Sequence, residues 1–340
     1  MKGKATSFDI AYQAGVSQST VSRALRNSPL VNEVTRKKIQ ALAKELNYKV
    51  DKNASNLRSQ QSDTIALLLF EDPTSDDSSI NPFFLSMLGS ITHACSKIGF
   101  DLLVSFQQSS NDWHADFEDS NKADGLILLG YGDYQNYEEK LVKLIENGTH
   151  FVLWGAEVNE LPIVSIGCDN YQGGRKITEH VIQQGKKHFA FLGDASNHSP
   201  EFLARYQGHC QALKDNHLSL NENLQVDALF TEDSGYHAAC ELLESGESFD
   251  AIFAASDLIA VGAIRALQER NIAIPEQVAV VGFDDIAVAS FTFPPLTTVK
   301  QNTLLAGELL VEKLLELIDG KEATSSLMPT ELVIRKSCGA

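Results

Sequence analysis

Apolar positions keep two different rhythms along this chain, and the change falls just after residue 60. Before it they recur in short bursts at helical spacing. Ile10, Ala11 and Ala14 share one face of a first helix, and Val21, Ala24 and Leu25 repeat at i, i+3, i+4 on a second. Gly15 stands where the first helix must stop and the backbone needs a positive φ, which glycine adopts without steric cost. Val16 plugs the turn, and Ser17 can cap the second helix through an amide two or three residues on. Asn27-Ser28-Pro29 breaks the run. Asn32 then opens a third helix, with Ile39, Leu42, Ala43 and Leu46 on one face. A core of Ile10, Val21, Leu25, Ile39 and Leu42 is very small, so this unit should be marginal by itself.

From Thr64 the rhythm changes to short β-rich runs alternating with helical ones. The pattern predicts strands at 65–70, 102–106, 125–129, 151–153, 189–192, 226–230, 251–254 and 278–282. Helices are expected at 82–98, 137–146, 173–184, 204–216, 235–244 and 258–269. Gly99, Gly148 and Gly185 sit just past helix ends. Alternation of this kind implies parallel sheets covered by helices, and a segment this long implies two such lobes.

The bulk composition, 43% apolar and 21% charged, is that of an ordinary globular protein. Net charge is −17, which at first argues against a nucleic-acid partner. Its distribution reverses that. Residues 1–60 carry 11 Lys/Arg against 4 Asp/Glu, whereas residues 61–340 carry 17 against 41. A basic head gathers the phosphate-seeking charge, and the acidic body should be repelled by DNA. Arg36, Lys37, Lys38 and Lys44 crowd the solvent-facing turns of the third helix, as phosphate contacts or as solubilising charge. Five scattered cysteines with no C-x-x-C read as free thiols of a reducing compartment. The polar N-terminus and the lack of a long apolar run lead us to expect a cytoplasmic protein with no membrane partner.

The outward face of the second helix has its own chemistry. It shows Gln18, Ser19, Ser22 and Arg23, and the cap Ser17 and Thr20 join them as DNA-binding candidates. Glutamine pairs with adenine, arginine with guanine, and serine tolerates several bases. Gln18–Leu25 therefore reads as the recognition helix of a helix-turn-helix lying in the major groove of double-stranded DNA. A plain helical hairpin has the same helix-glycine-helix outline. Catalysis finds little support. The nine histidines show neither H-E-x-x-H nor metal-ligand spacing, no phosphate loop occurs, and no cofactor is expected. Asp284 and Asp285 would point to opposite faces of a strand, which makes a poor acid/base couple.

The string Ala14-Gly15-Val16-Ser17, followed by Thr20-Val21-Ser22-Arg23-Ala24-Leu25, resembles the DNA-binding headpiece of the lac repressor/galactose repressor (LacI/GalR) family of bacterial transcription regulators. The likeness continues in order along the chain. It runs through Asn81-Pro82-Phe83-Phe84, Asp169-Asn170-Tyr171-Gln172-Gly173 and Arg205-Tyr206-Gln207-Gly208. It goes on through Ser256-Asp257-Leu258-Ile259-Ala260-Val261-Gly262-Ala263, Val281-Gly282-Phe283-Asp284-Asp285-Ile286 and Pro294-Pro295-Leu296-Thr297-Thr298-Val299. The resemblance implies an all-α helix-turn-helix headpiece plus an α/β two-lobe effector domain of the type I periplasmic-binding-protein kind. The implied layout is a headpiece at 1–49 (motif about 8–27), a hinge at 50–61 and a body at 62–340. One lobe would take about 62–167 and 299–326, the other about 168–290 and 328–340, with crossovers near 167–170, 286–300 and 325–330. A homodimer is implied, since no leucine-heptad tetramerisation helix follows.

The same resemblance implies roles. In the hinge, Leu57 falls where the family drives a leucine into the minor groove, and Ala54 at the small contact position before it; an apolar wedge can kink the duplex. Val50-Asp51 departs from the usual Pro-Asn there, which bears on hinge geometry. In the cleft, Arg205 matches an arginine that forks onto ligand hydroxyls or carboxylate, and Asp284 a carboxylate that accepts paired hydroxyls. Phe83 and Phe84 match aromatics that cover the ligand. Ser256 stands where asparagine is common, and Asp72 and Trp154 lie at strand ends. Plainer readings stay open: Arg205 as a surface helix residue, Phe83, Phe84 and Trp154 as core, Asp284 and Asp285 as turn residues. The expected function is repression of carbohydrate-utilisation genes, relieved by a sugar inducer. The alternatives are a regulator dependent on a purine-like corepressor, a solute-binding protein and a sugar-acting hydrolase.

Overall fold

The computed structural model describes residues 5–48, 61–69, 80–107, 112–130, 134–156 and 161–339. Ala54, Leu57 and Asp72 lie outside the described residues. The chain divides into two compact units, Met1–Ser62 and Asp63–Ala340.

The first unit holds three helices, α1 (Ser7–Ala14), α2 (Gln18–Leu25) and α3 (Glu33–Glu45). Each starts on a side-chain cap. Thr6 and Asp9 form a reciprocal capping box on α1, Ser17 accepts the Thr20 N–H at 3.2 Å, and Asn32 accepts the Thr35 N–H at 2.8 Å. Gly15 ends α1 at φ +70°, as its position demands. The core draws more on alanines and less on leucines than the sequence suggests. Ile10, Val21, Ala24 and Ile39 are fully buried, Val31 joins them, and Leu25 and Leu42 are only half-buried at its margin.

The second unit contains two parallel sheets. The first has six strands: β1 (Thr64–Leu69), β2 (Asp101–Phe106), β3 (Gly125–Leu129), β4 (Phe151–Trp154), β5 (Val164–Cys168) and β11 (Ser326–Met328). Their order is β11-β5-β4-β3-β1-β2, all pairs parallel. Alternation along β1 sends Ile65, Leu67 and Leu69 to one face and Ala66 and Leu68 to the other. Both faces are covered, so the strand reads as an unbroken apolar run. The first face packs against α4 (Pro82–Ile98) and α10 (Thr303–Ile318); the second against α5 (Tyr134–Glu146) and the short helical segment that carries Trp113 and Phe117.

The second sheet has the order β7-β6-β8-β9, from β7 (Gln225–Val226), β6 (Phe189–Leu192), β8 (Ala251–Ala254) and β9 (Ala279–Val281). Two helix pairs pack on it: α6 (Asn170–Gln183) with α7 (Pro200–Asp215), and α8 (Glu232–Glu244) with α9 (Asp257–Glu269). Glycines set how closely each pair approaches. A Cβ on Gly208 would run into the Tyr171 carbonyl, and one on Gly262 into the Glu232 carbonyl.

The chain passes between lobes three times. It leaves the six-stranded lobe between Cys168 and Asn170 and returns after β9 along β10 (Thr298–Lys300) into α10. It crosses again from β11 to β12 (Glu331–Val333), which pairs antiparallel with β10. The strand expected at 226–230 is only Gln225–Val226. Strands β5, β10, β11 and β12 and helix α10 have no counterpart among the sequence expectations.

Candidate DNA-reading surface and effector site

On the head, the Ser17 cap fixes where α2 begins and therefore which side chains line its first turn. The Ser17 hydroxyl lies 2.8 Å from both the Ser19 and the Thr20 hydroxyls, so the three form a local cluster. The Gln18 amide donates to the Ser7 hydroxyl at 2.7 Å, tying the start of α2 to the start of α1. Arg26 donates to Ser22 Oγ at 3.0 Å, while Arg23 projects into solvent. Of the basic side chains on α3, Lys38 donates to the Ala14 carbonyl at 3.0 Å and Lys37 pairs with Glu33 at 2.8 Å. Both have structural partners, a detail the charge pattern alone does not give.

The body's candidate site is built where the crossovers meet. Asn81 caps α4 by accepting the Phe83 N–H at 2.9 Å, and Pro82 fills the first turn. This places Phe83 and Phe84 at a helix start beside Trp154, the last residue of β4. The Phe83 ring lies 6.0 Å from Trp154 and 5.4 Å from Phe84. All three are buried in the core of the six-stranded lobe.

From the other lobe, Arg205 comes from the middle of α7 and is 0% exposed. Its Nε donates to Asn170 Oδ1 at 2.8 Å and its Nη1 to the Ala255 carbonyl at 2.5 Å. The guanidinium lies 3.8 Å above the Phe283 ring and 5.2 Å from Phe202. Asp284, just beyond β9, sits 3.6 Å from Nη1 and adopts φ +112°. Asp285 follows at φ +55° but turns away to pair with Arg335 at 2.7 Å. A positive φ at two consecutive non-glycine residues is backbone strain, of a kind concentrated at functional sites.

A relay of hydrogen bonds joins the crossovers. The Cys168 thiol donates to Gln301 Oε1 at 2.9 Å, and Gln301 Nε2 donates to Asp284 Oδ1 at 2.6 Å. Behind it, Asp257 accepts from the Thr298 hydroxyl at 2.5 Å and from the Ile286 N–H at 2.9 Å. Burial pushes the Asp284 carboxyl up to about 6, although Arg205 and Gln301 pull the other way. Burial, reinforced by Asp284, holds Asp257 well above the usual carboxylate range, and burial lifts the Cys168 thiol to about 12. Across the lobes, Glu201 Oε1 accepts the Ala156 N–H at 3.0 Å.

The structure thus brings Arg205 and Asp284 together and places Phe83, Phe84 and Trp154 as one aromatic group. Ser256 is the N-cap of α9, accepting the Ile259 N–H at 3.3 Å. Asn170, Gln301, Glu201, Cys168 and Asp257 are not among the site residues picked from sequence. Asn170 and Asp257 sit inside quoted motifs and were legible there; Gln301 and Glu201 carry no local signal. Among the described residues, no group of three or more His, Cys, Asp or Glu is placed to hold a metal ion, and no helix is long and apolar enough to cross a membrane.

Comparison with known proteins bears on both units. Residues 8–51 match the model described as bacterial regulatory proteins, lacI family. Residues 178–338 match the periplasmic binding protein-like domain. HTH-type transcriptional regulator CelR of Thermobifida fusca is 31% identical over 335 residues, 96% of each chain. The ribose operon repressor of Escherichia coli strain K12 is 30% identical over 317 residues, 92% of this chain and 93% of the relative. Among solved structures, the CelR–cellobiose complex covers 98% of this chain and 99% of its own, at 30% identity and a TM-score of 0.73. A lac repressor dimer bound to operator and the anti-inducer ONPF covers 99% and 100%, at 27% identity and a TM-score of 0.83. With a matching headpiece, a matching effector domain and relatives aligned nearly end to end, the chain belongs to the lacI family of bacterial regulatory proteins and is a DNA-binding transcriptional regulator.

Proposed function

We propose that this regulator is a cytoplasmic homodimeric repressor of carbohydrate-utilisation genes, released from its operator when a sugar occupies the site between its lobes. The observation that carries the reading is the buried Arg205–Asp284 pair, tied through Gln301 to Cys168 where the chain changes lobes. Hydroxyl groups suit that pair, since a carboxylate accepts and a guanidinium donates in a fixed fork. A ligand engaging it acts on two crossovers at once. The solved CelR–cellobiose complex and the relative named ribose operon repressor support a sugar as effector.

In this reading Ser17, Gln18, Ser19, Thr20, Ser22 and Arg23 face the operator, and Ala54 and Leu57 serve the hinge. Asp72, Phe83, Phe84, Trp154, Arg205, Ser256 and Asp284 contact the effector. Catalysis has no part in it. Because a ligand shifts an equilibrium only by its differential affinity for two states, the inducer must bind the low-affinity conformation more tightly.

A thermal-shift screen of mono- and disaccharides, followed by operator-release assays with each hit, tests the reading. A ligand at 100 times its Kd stabilises the native state by about 2.7 kcal/mol. A sugar that raises the melting temperature and releases operator DNA is expected. Stabilisation by hypoxanthine or guanine alone, with tighter operator binding, would establish the corepressor alternative instead.

A further inference from the structure

We propose that the effector site selects a polyhydroxylated ligand carrying no negative charge and discriminates against phosphorylated sugars and uronates. The inference rests on the sugar reading above and narrows it to a charge class.

The argument starts from how Arg205 is used. Its positive charge is already met inside the protein, by Asp284 at 3.6 Å, the Asn170 amide oxygen and the Ala255 carbonyl, with Phe283 against the guanidinium plane. One turn earlier on α7 stands a second carboxylate, Glu201, which is 3% exposed and accepts the Ala156 N–H from the other lobe. Asp169 caps α6 at the first crossover. Two buried carboxylates therefore flank Arg205, Asp284 at 3.6 Å and Glu201 one helical turn away.

Binding a phosphate or carboxylate there would bury another negative charge beside two buried carboxylates, with the local cation already engaged. A desolvated charge without its own partner is costly, and like charges juxtaposed at a binding surface are a general means of excluding wrong partners. Hydroxyl or ammonium groups meet the opposite situation. A carboxylate is an acceptor only, and a hydroxyl hydrogen can be given to it without adding charge. The site therefore reads charge through its carboxylates rather than through its arginine.

The test is isothermal titration of the full-length protein with matched ligands. Suitable sets are ribose and ribose 5-phosphate, glucose, glucosamine, glucuronate and glucose 6-phosphate, and cellobiose and cellobionate. A neutral or amine-bearing member binding at least tenfold more tightly than its anionic counterpart is expected. An anionic member that equals or exceeds its neutral counterpart overturns the inference while leaving the sugar reading intact. No binding by any member, of either charge, defeats the sugar reading and this inference together. Glu201→Gln keeps an acceptor for the Ala156 N–H and should narrow the neutral-to-anionic ratio at least threefold, as should Asp284→Asn. An unchanged ratio in both variants shows that these carboxylates do not set the preference.

Discussion

Arg205 shows how differently one side chain reads in sequence and in the fold. On the helical pattern it is a charged residue in a polar stretch, whereas the structure buries it completely against Asp284, Asn170 and two phenylalanine rings. Removing one partner of a buried ion pair strands the other, which costs about 3–5 kcal/mol. Arg205→Ala should lower unfolding stability by that order in a urea titration of the full chain, and Arg205→Lys should not restore it, because an ammonium lacks the planar fork. His209 offers a test by pH. It lies in a ring of Phe189, Phe191, Tyr206 and Phe253, shares a hydrogen bond with Thr178, and burial presses its pKa down to about 3. Above pH 6.5 it is neutral folded and unfolded, so it adds no pH dependence there. Below pH 6.5 the unfolded chain takes up a proton that the folded chain refuses until about pH 3, so stability falls as pH falls, by up to about 1.4 kcal/mol per unit. Asp284, raised to about 6, works in the opposite direction between pH 6 and 4. His209→Phe should therefore flatten the acid-side loss of stability seen by denaturant titration at successive pH values; an unchanged slope would contradict a buried neutral histidine. At the DNA surface, Arg23→Ala should cost about 1–3 kcal/mol of operator discrimination in fluorescence anisotropy while sugar affinity stays unchanged.

At the scale of elements, glycine positions connect motif to packing. Gly208 ends the Arg205–Gly208 motif and Gly262 lies in the Ser256–Ala263 motif, and each lets one helix of a pair lie against the backbone of its neighbour. Gly208→Ala and Gly262→Ala should each destabilise the body by about 1–3 kcal/mol through overpacking, read as a lower urea midpoint with an unchanged slope. Glycines at positive φ behave differently: Gly99, Gly148 and Gly185 end helices at φ +82°, +68° and +91°, as their positions in the sequence indicate. The legible elements are those long enough to show a period or bounded by caps. Helix α4 begins and ends where expected, between Asn81 and Gly99, and the head helices are marked by Gly15, Ser17 and Asn32, whereas the Thr6 cap on α1 emerges only in the structure. The missed strands β10, β11 and β12 are three residues each, too short for alternation to register, and exist through partners far away in sequence. Helix α10 is a different omission: Ala306, Leu310, Val311 and Leu314 recur at helical spacing opposite Glu308, Glu312 and Glu316, so its amphipathic period is legible in the sequence even though no expected element covers it. The effector site was half legible for the reason that hid the short strands. Arg205 and Asp284 sit in motifs, while Gln301 and Glu201 gain their place only when the crossovers bring them together.

For the whole molecule, charge and architecture divide the labour. The basic charge lies in residues 1–60 and the acidic charge in the remainder, and in the proposed reading the first seeks phosphate while the second holds the effector site. That division makes DNA affinity salt-dependent through the head alone, with log Kd linear in log salt concentration. It also makes the two activities separable by substitution and coupled only through the intact chain. The coupling is the central claim. It is tested most directly by selecting a preferred duplex from a random pool and measuring its affinity for the full-length protein, with and without the sugar that most stabilises it, at fixed salt. At least a tenfold loss of affinity for the selected duplex is predicted, with little change for an unrelated one. Equal affinity for both duplexes, unaltered by any ligand that binds the body, would contradict the account.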